Sequence, residues 1–319
     1  GKSLIIKTKD DVDLDAVWST GRNEYAGRST VIIFHGNSCV LDSMYKMAQW
    51  YHKYKFNILL ITMRGYGDST GDAVESGETG MIYDVDAAIH YVMATHKVPR
   101  DKLIVHGFSL GGALAAIGAY LYDVTLVLDQ SFTSPSDVAA SIIEKNKILG
   151  ALVPKWISHG ITKGAFPTGT SVANVGKNSD DVDSSPVRDD IETDGLLSLR
   201  KVYEIGRNEN KLYNNCEVYI FWAKQDVLMK ASFAEQFFRA RYGVPPNDNP
   251  LLKQYTQLKK SRMSELDGPH GCMFCDFKQE SENFMNFLIE NGFKSNKSSD
   301  TDSTSTRSRK PSTLDLEYL

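Results

Sequence analysis

The feature that most constrains this chain is a serine placed between two glycines directly after an apolar run. Residues 102–112 read KLIVHGFSLGG, so Ser109 lies two positions from both Gly107 and Gly111. Glycine weakens strands and helices, and its repeated use indicates a backbone with unusual angles or close approach. The segment predicts a sharp turn from a strand into a helix, with the serine hydroxyl held in a strained, exposed position.

Apolar strands alternate with helical segments on both sides of this turn. Residues 4–18 predict an antiparallel hairpin that turns at Lys9-Asp10-Asp11. The predicted strands are Val31–Phe34, Phe56–Met63, Lys102–His106, Val124–Asp129, Cys216–Trp222 and one between Gln257 and Leu266, and the predicted helices are 41–54, 78–96, 110–120, 230–242 and 279–292. Short apolar strands alternating with helices are typical of a parallel sheet covered on both faces. The sequence therefore predicts an α/β fold.

The alternation is interrupted twice and then ends in a polar tail. The chain has 319 residues, of which 41% are hydrophobic, enough for a large core. We expect one domain over 1–293, with an insertion at about 135–210 and a second insertion at about 243–256. Residues 294–319 are rich in Ser and Thr and cannot bury enough apolar surface to offset ordering entropy, so we expect a disordered tail.

Charge and apolar run length exclude several classes of partner. The formal net charge is −4 and no long basic block is present, which argues against nucleic acid as a partner. The longest apolar runs are far shorter than a membrane span, and no secretory signal is recognisable. We expect a protein that is cytoplasmic or peripheral to a membrane.

The chain contains four cysteines, too few for a disulfide scaffold at this length. Cys272 and Cys275 form a single CxxC, without a second Cys or His pair at the spacing of a zinc site. We interpret them as ordinary thiols, with metal or redox chemistry as the alternative.

The segment Gly107-Phe108-Ser109-Leu110-Gly111 matches G-x-S-x-G at the end of a predicted strand and the start of a predicted helix. In that context the pattern predicts a nucleophile elbow, in which strained angles present the serine hydroxyl. The positive end of the helix dipole favours the oxyanion that forms when the serine attacks a carbonyl. The alternative is a plain glycine-rich turn.

Further motifs accompany the elbow in a characteristic order. They are TKDDVDLDAVW at the entry hairpin, FHGN at 34–37, RGYGDSTG at 64–71, GFSLGG at 107–112, SFTS at 131–134, AKQD at 223–226 and GPHG at 268–271. Over about 10–290, apart from the two insertions, the chain resembles α/β-hydrolase-fold serine hydrolases, and among them the acyl hydrolases that include protein depalmitoylases. The resemblance implies a mostly parallel central sheet with helices on both faces, and a cap formed by the first insertion.

Ser109 needs a base, because a free serine hydroxyl is a weak nucleophile. Among seven histidines, His270 lies after the last predicted strand and completes the order serine, acid, histidine that this fold uses. Asp226 directly follows the strand Cys216–Trp222, where a carboxylate would orient the imidazole. The alternative acid is Asp129, which ends the strand after the elbow helix.

The resemblance also assigns roles to two loops beside the elbow. It implies that the backbone N–H groups of Asn37 and Leu110 form the oxyanion hole. His35 is expected to support the loop structurally and not to act as the base. Arg64 and Asp68 are expected to form a structural clamp behind the site.

These assignments predict hydrolysis of a carboxylic ester or thioester through an acyl-enzyme on Ser109, without a metal or organic cofactor. The substrate expected from the resemblance is a lipid-like acyl ester or an acylated protein, with peripheral membrane contact left open. The apolar residues of the cap either line an acyl site or only pack on the core. Two other functions stay open, namely a peptidase or acyltransferase with the same triad, and a catalytically silent binding or scaffold protein.

Overall fold

A computed structural model of the chain describes residues 1–20, 29–132, 138, 217–242 and 252–293. Nearly all of the predicted cap insertion, most of the second insertion and the predicted disordered tail lie outside these residues. Those three assignments therefore stay predictions.

The described residues form eight strands and six α-helices. The strands are β1 Lys2–Lys7, β2 Asp13–Ser19, β3 Thr30–Phe34, β4 Asn57–Ile61, β5 Leu103–Phe108, β6 Thr125–Asp129, β7 Val218–Ala223 and β8 Met263–Leu266. The helices are α1 Tyr45–Lys53, α2 Ala73–His90, α3 Leu110–Tyr122, α4 Ala231–Tyr242, α5 Leu252–Arg262 and α6 Lys278–Glu290.

The eight strands form one sheet in the order β1-β2-β4-β3-β5-β6-β7-β8. β2 pairs antiparallel with β1 and β4, and all the other pairs are parallel. The ends of three central strands lie in register, since Phe34 pairs with Gly107 and Phe108 with Asp129. The loops after these strands therefore meet at one edge of the sheet, where ligands bind in α/β proteins.

Each face of the sheet has its own apolar core. Side chains of α2, α3 and α4 pack with alternate strand residues on one face, and those of α1 and α6 pack on the other. Every residue of β3, β4, β5 and β6 is buried, which explains why their sequences are continuous apolar runs. The predicted mostly parallel α/β sheet with helices on both faces is confirmed.

Two predicted elements differ from the structure. The helix predicted over 78–96 is preceded by a further helical turn, so that α2 begins at Ala73, where the Asp72 side chain accepts from two backbone N–H groups; Gly77, with φ 58°, kinks α2 just before residue 78. The strand predicted between Gln257 and Leu266 lies at the end of that range, because α5 extends to Arg262 and leaves four residues for β8. The α5 sequence is rich in Leu, Lys, Gln and Arg, which are good helix formers.

No helix in the described ranges is long and apolar enough to cross a lipid bilayer.

Candidate active site

Ser109 occupies the turn between β5 and α3 with strained backbone angles, φ 52° and ψ −112°. Its backbone N–H donates to the carbonyl of Asp129 over 2.9 Å, and its carbonyl accepts from the Ser131 hydroxyl, also over 2.9 Å. Such a conformation persists only where the surrounding structure enforces it. The observed angles are those that the glycine pattern predicted.

The two flanking glycines are required by close backbone approach. A Cβ at Gly107 would lie 2.0 Å from the carbonyl oxygen of Gly111, and a Cβ at Gly111 would lie 2.2 Å from that of Phe34. The close backbone approach that the repeated glycines indicate is confirmed. Ser109 itself is only 6% exposed, so the expectation of an exposed hydroxyl was wrong. The loop after β3 packs against the serine, since a Cβ at Gly36 would lie 3.3 Å from the Cβ of Ser109.

Asp226 and His270 lie together although 44 positions separate them in the sequence. His270 Nδ1 is 2.7 Å from Asp226 Oδ2, and Asp226 Oδ1 accepts from the backbone N–H groups of Leu228 and Met229 at 2.8 Å each. The Asp226 side chain is fully buried and that of His270 is 20% exposed. A buried carboxylate at Nδ1 orients the ring and leaves Nε2 available to take a proton.

The imidazole of His270 lies against the elbow. Its ring stacks on the ring of Phe108, which precedes Ser109, with a centroid distance of 5.3 Å. No hydrogen bond joins the Ser109 hydroxyl to this imidazole among the residues described. Catalytic hydrogen bonds are often long in ligand-free sites and tighten when substrate binds. The structure thus brings Asp226 to His270 and His270 to the elbow, and the Ser109–His270 contact stays a prediction.

The alternative acid, Asp129, has other partners. Its Oδ1 accepts from Gln130 Nε2 over 2.9 Å, and its Oδ2 lies 3.6 Å from His106 Nε2. His106 Nδ1 in turn lies 2.8 Å from the Tyr51 hydroxyl. The Asp129 carboxylate therefore belongs to a buried polar chain beneath the site. The geometry favours Asp226 as the partner of His270.

His35 is buried in the loop after β3 and holds it by both ring nitrogens. Nδ1 donates to the Gly36 carbonyl over 2.8 Å, and Nε2 accepts from the backbone N–H of Met63 over 3.0 Å. Burial lowers the pKa of His35 to about 4, so the ring is neutral near pH 7. These contacts match the structural role expected of His35.

The two expected oxyanion donors lie on either side of Ser109. The loop carrying Asn37 packs on the elbow, because a Cβ added at Gly36 would lie 3.3 Å from the Cβ of Ser109. The Asn37 side chain accepts from the Tyr66 hydroxyl over 2.8 Å. Leu110 begins α3, where backbone N–H groups lack acceptors within the helix. The oxyanion hole itself stays a prediction.

The predicted clamp pairs Arg64 with different carboxylates. Arg64 is buried and donates through Nε to Asp84 Oδ1 over 2.8 Å, while its terminal nitrogens contact both oxygens of Asp10 at 2.7 and 3.0 Å. Asp68 is exposed. The pairing of Arg64 with Asp68 was wrong, because Asp68 follows a glycine turn that leaves it at the surface, and the nearby carboxylates come from distant segments.

Cys272 and Cys275 are free thiols in the loop after His270. Burial raises the pKa of each to about 11. Both are therefore protonated near pH 7 and poor nucleophiles, which fits ordinary thiols. Within the described ranges, no group of three or more His, Cys, Asp or Glu side chains is arranged to hold a metal ion.

Three residues that support the site were not predicted. Gln130 bonds to the loop that follows His270, Ser131 bonds to the Ser109 carbonyl, and Tyr66 bonds to Asn37. The available signal for Gln130 and Ser131 was their position, since they are polar residues directly after an apolar strand next to the elbow strand. The partners of these side chains come from distant parts of the chain and leave no local pattern.

Comparison with known proteins finds chains similar to this one in sequence and in fold. The sequence profile of the family described as alpha/beta hydrolase fold matches residues 29–171. Protein bem46 of Schizosaccharomyces pombe is 31% identical over 141 residues, which cover 43% of this chain and 46% of bem46. The uncharacterized protein YfhR of Salmonella typhi is 31% identical over 195 residues, which cover 52% of this chain and 65% of YfhR. Each match spans less than two thirds of the relative.

Solved structures resemble the whole fold. The esterase Pf2001 of Pyrococcus furiosus superposes with a TM-score of 0.58 at 18% identity, covering 91% of this chain and 90% of the esterase. This likeness concerns the fold. Together with the strand order and the strained serine turn, the matches show that this chain is a protein of the alpha/beta hydrolase fold, as its motifs predicted.

Proposed function

We propose that the protein is a serine hydrolase that cleaves a carboxylic ester or thioester through an acyl-enzyme on Ser109. The observation that carries the proposal is the pair of Asp226 and His270, 2.7 Å apart, whose imidazole stacks on Phe108 next to the strained serine. A nucleophile, a base and an acid that orients the base are the three parts that acyl transfer requires.

In the proposed reaction, Ser109 Oγ attacks the substrate carbonyl carbon while His270 Nε2 takes the hydroxyl proton. The carbonyl oxygen becomes an oxyanion that accepts from the backbone N–H groups of Asn37 and Leu110. The tetrahedral intermediate collapses, and His270 gives its proton to the departing alcohol or thiol. Water then attacks the acyl-enzyme, with His270 again taking the proton, and the free acid leaves.

Asp226 acts through His270. Its carboxylate accepts from Nδ1 and stabilises the positive charge that the ring acquires during each proton transfer. Because the carboxylate is fully buried, bulk water screens this interaction little. Its second oxygen is held by two backbone N–H groups, so the carboxylate cannot turn away from the ring without breaking them.

For the substrate we propose an acyl ester or thioester carried by a lipid or an acylated protein. The support is the resemblance to acyl hydrolases, and the esterase named among the structural neighbours fits the same chemistry. A lipid or acylated-protein substrate would bring the protein into contact with a membrane surface.

The test is labelling by a fluorophosphonate probe, which reacts with activated serines. We expect wild type to be labelled and to hydrolyse short acyl esters. Ser109→Ala should lose labelling and about 10⁴-fold or more of the activity, with a nearly unchanged melting temperature. The control is Ser3→Ala, the same change at an exposed position of β1, which should label as wild type does.

A substrate panel distinguishes the alternative functions. Acyl esters, acyl thioesters and peptides offered to wild type separate an esterase or thioesterase from a peptidase, and an added acyl acceptor detects an acyltransferase. Wild-type protein that is folded but is neither labelled nor active on any of them would contradict the proposal and favour a binding or scaffold role.

A further inference from the structure

Gln130 is a buried residue whose side chain the reaction does not use directly. It follows β6, is 1% exposed and has a positive φ of 50°, which is costly for a residue with a Cβ. Its backbone N–H donates to the carbonyl of Phe221 on β7 over 3.0 Å. The backbone is thus fixed between two central strands at the edge that carries the site.

The side-chain amide of Gln130 is bonded in three directions, and two of them reach the loop that follows His270. Its Oε1 accepts from the backbone N–H of Gly271 over 2.8 Å, and its Nε2 donates to the carbonyl of Cys272 over 2.8 Å. The partners determine which end of the amide faces which group, because Gly271 offers a donor and Cys272 an acceptor. A side-chain amide carries both functions on adjacent atoms, so one group can bond both residues.

The third bond ties Gln130 to the buried polar chain beneath the site. Nε2 also donates to Asp129 Oδ1 over 2.9 Å. The other oxygen of Asp129 lies beside the His106 ring, which in turn contacts the Tyr51 hydroxyl. The Asp129 carboxylate only accepts hydrogen bonds, so it holds the NH₂ end of the amide toward itself. This chain lies under the elbow and the base loop together, and Asp129 also accepts from the Ser109 backbone N–H through its carbonyl.

We propose that Gln130 is a positioning residue that sets the location of the His270 imidazole relative to Ser109. The inference rests on the proposed function. Gly271 has a φ of 90°, so the chain reverses directly after the base, and Gln130 bonds both residues that follow. Asp226, after β7, sets the orientation of the His270 ring through Nδ1. Gln130, after β6, sets the position of the backbone that carries the ring.

The kinetic consequence is a loss in the chemical step and little change in binding. Both polar atoms of the Gln130 amide already bond to Asp129 and to the loop after His270, so the side chain is not expected to contribute to substrate binding. A misplacement of a catalytic group by about 1 Å costs on the order of 100-fold in rate. We therefore expect Gln130→Met, which keeps the length and apolar burial of the side chain, to lower the maximal labelling rate constant by about 10- to 100-fold. The probe concentration at half-maximal rate should change less than about threefold.

The matched control is Gln279→Met, the same change at an exposed position of α6 whose amide contacts only Asn283 among the described residues. It should label at the wild-type rate. A Gln130→Met protein that melts near the wild-type temperature and labels at the wild-type rate would overturn the proposal. So would an effect confined to the half-maximal probe concentration.

A measurement on wild type keeps the proposal testable if Gln130→Met does not fold. The Gly271 amide donates to a buried acceptor and should exchange with D₂O at least about 100-fold slower than an unprotected loop amide. Exchange at the unprotected rate would show that the hydrogen bond from Gly271 to Gln130 does not form, whether or not the protein is an enzyme. Slow exchange of Gly271 in a wild type that the probe does not label would contradict the proposed function, while the contacts of Gln130 with the loop after His270 would still stand.

Discussion

The candidate active site consists of two halves that the fold holds in place by different means. The elbow half, formed by β5, Ser109 and α3, is held by close contacts between backbone atoms, those of Gly107 with Gly111 and those of Gly111 with Phe34. The acid–base half, formed by the loops after β7 and β8 that carry Asp226 and His270, is held by side-chain hydrogen bonds between distant residues. The elbow half needs glycine at 107 and 111, where a Cβ would clash. The acid–base half needs particular side-chain atoms, those of the Asp226 carboxylate and the Gln130 amide.

This difference predicts where each half is vulnerable. In the elbow half a single added methyl group would collide with backbone atoms, which cannot move without disturbing the sheet. In the acid–base half, a side chain of the same shape fits without a clash. Exchanging one hydrogen-bonding atom for another, however, removes a contact that the proposed reaction needs. Substitutions of the elbow glycines should therefore act mainly on stability, and substitutions in the acid–base half mainly on turnover.

The largest effect is expected from Asp226→Asn in the acid–base half. The amide cannot compensate the charge on the His270 ring and offers a donor where Nδ1–H needs an acceptor, so turnover should fall by about 10⁴-fold. Asp129→Asn should cost less than about tenfold, because Asp129 acts only through the Gln130 amide. Steady-state kinetics of the two variants on one ester give the comparison. The reverse ranking would move the acid to Asp129.

Gly107→Ala tests the elbow half. The new Cβ would lie 2.0 Å from the carbonyl oxygen of Gly111, so β5 and α3 must separate. We expect the free energy of unfolding to fall by about 3 kcal/mol, measured by chemical denaturation followed by tryptophan fluorescence. An unchanged denaturation midpoint would mean that the turn is looser than described and that the glycine spacing has another cause.

The same contrast explains which parts of the molecule were predictable from sequence. The elbow was predictable because its glycines, strand and helix lie within eleven residues and because steric clash is a local property. The partners of Asp226 and His270 were predictable only through the resemblance and the order of the strands. Gln130 could not be foreseen, since its two loop partners are main-chain groups and carry no residue identity.

Arg64 shows the same limit away from the site. Its need for a carboxylate was evident, and the nearest one in sequence, Asp68, was the wrong choice. The true partners, Asp10 and Asp84, come from the entry hairpin and α2. Only the sheet order, which brings β2 beside β4, places those segments around the guanidinium. Local sequence thus predicts that a buried guanidinium needs a carboxylate partner, and the tertiary fold determines which carboxylate it is.

His35 belongs to the elbow side and should make stability depend on pH. Burial lowers its pKa to about 4 from 6.5, so the folded state holds the neutral ring and the unfolded state binds the proton more readily. The stabilisation is complete above pH 6.5 and is lost as pH falls toward 4. It amounts to about 2 kcal/mol between pH 7 and pH 5.

The measurement is urea denaturation of wild type and His35→Gln across that pH range. Glutamine keeps a donor and an acceptor but does not titrate, so the variant should show a shallower pH slope in its unfolding free energy. Equal slopes in the two proteins would contradict the assignment of a neutral, buried His35.

The smallest effect is expected from Tyr66→Phe, in the loop after β4 that contacts the expected oxyanion loop. The Tyr66 hydroxyl donates to the Asn37 side chain over 2.8 Å and its ring packs edge-on against His35, with 5.0 Å between the centroids. The variant keeps the ring contact and loses one hydrogen bond worth about 1 kcal/mol, so kcat should fall about three- to tenfold. Tyr45→Phe removes a hydroxyl from a tyrosine on α1 that is 39% exposed and serves as the control.

If the Asn37 backbone N–H holds the oxyanion, the loss should appear in kcat and leave KM nearly unchanged, because the oxyanion exists only in the transition state and the tetrahedral intermediate. A rise in KM at constant kcat would instead make Tyr66 a contact for the bound substrate and remove Asn37 from the oxyanion hole.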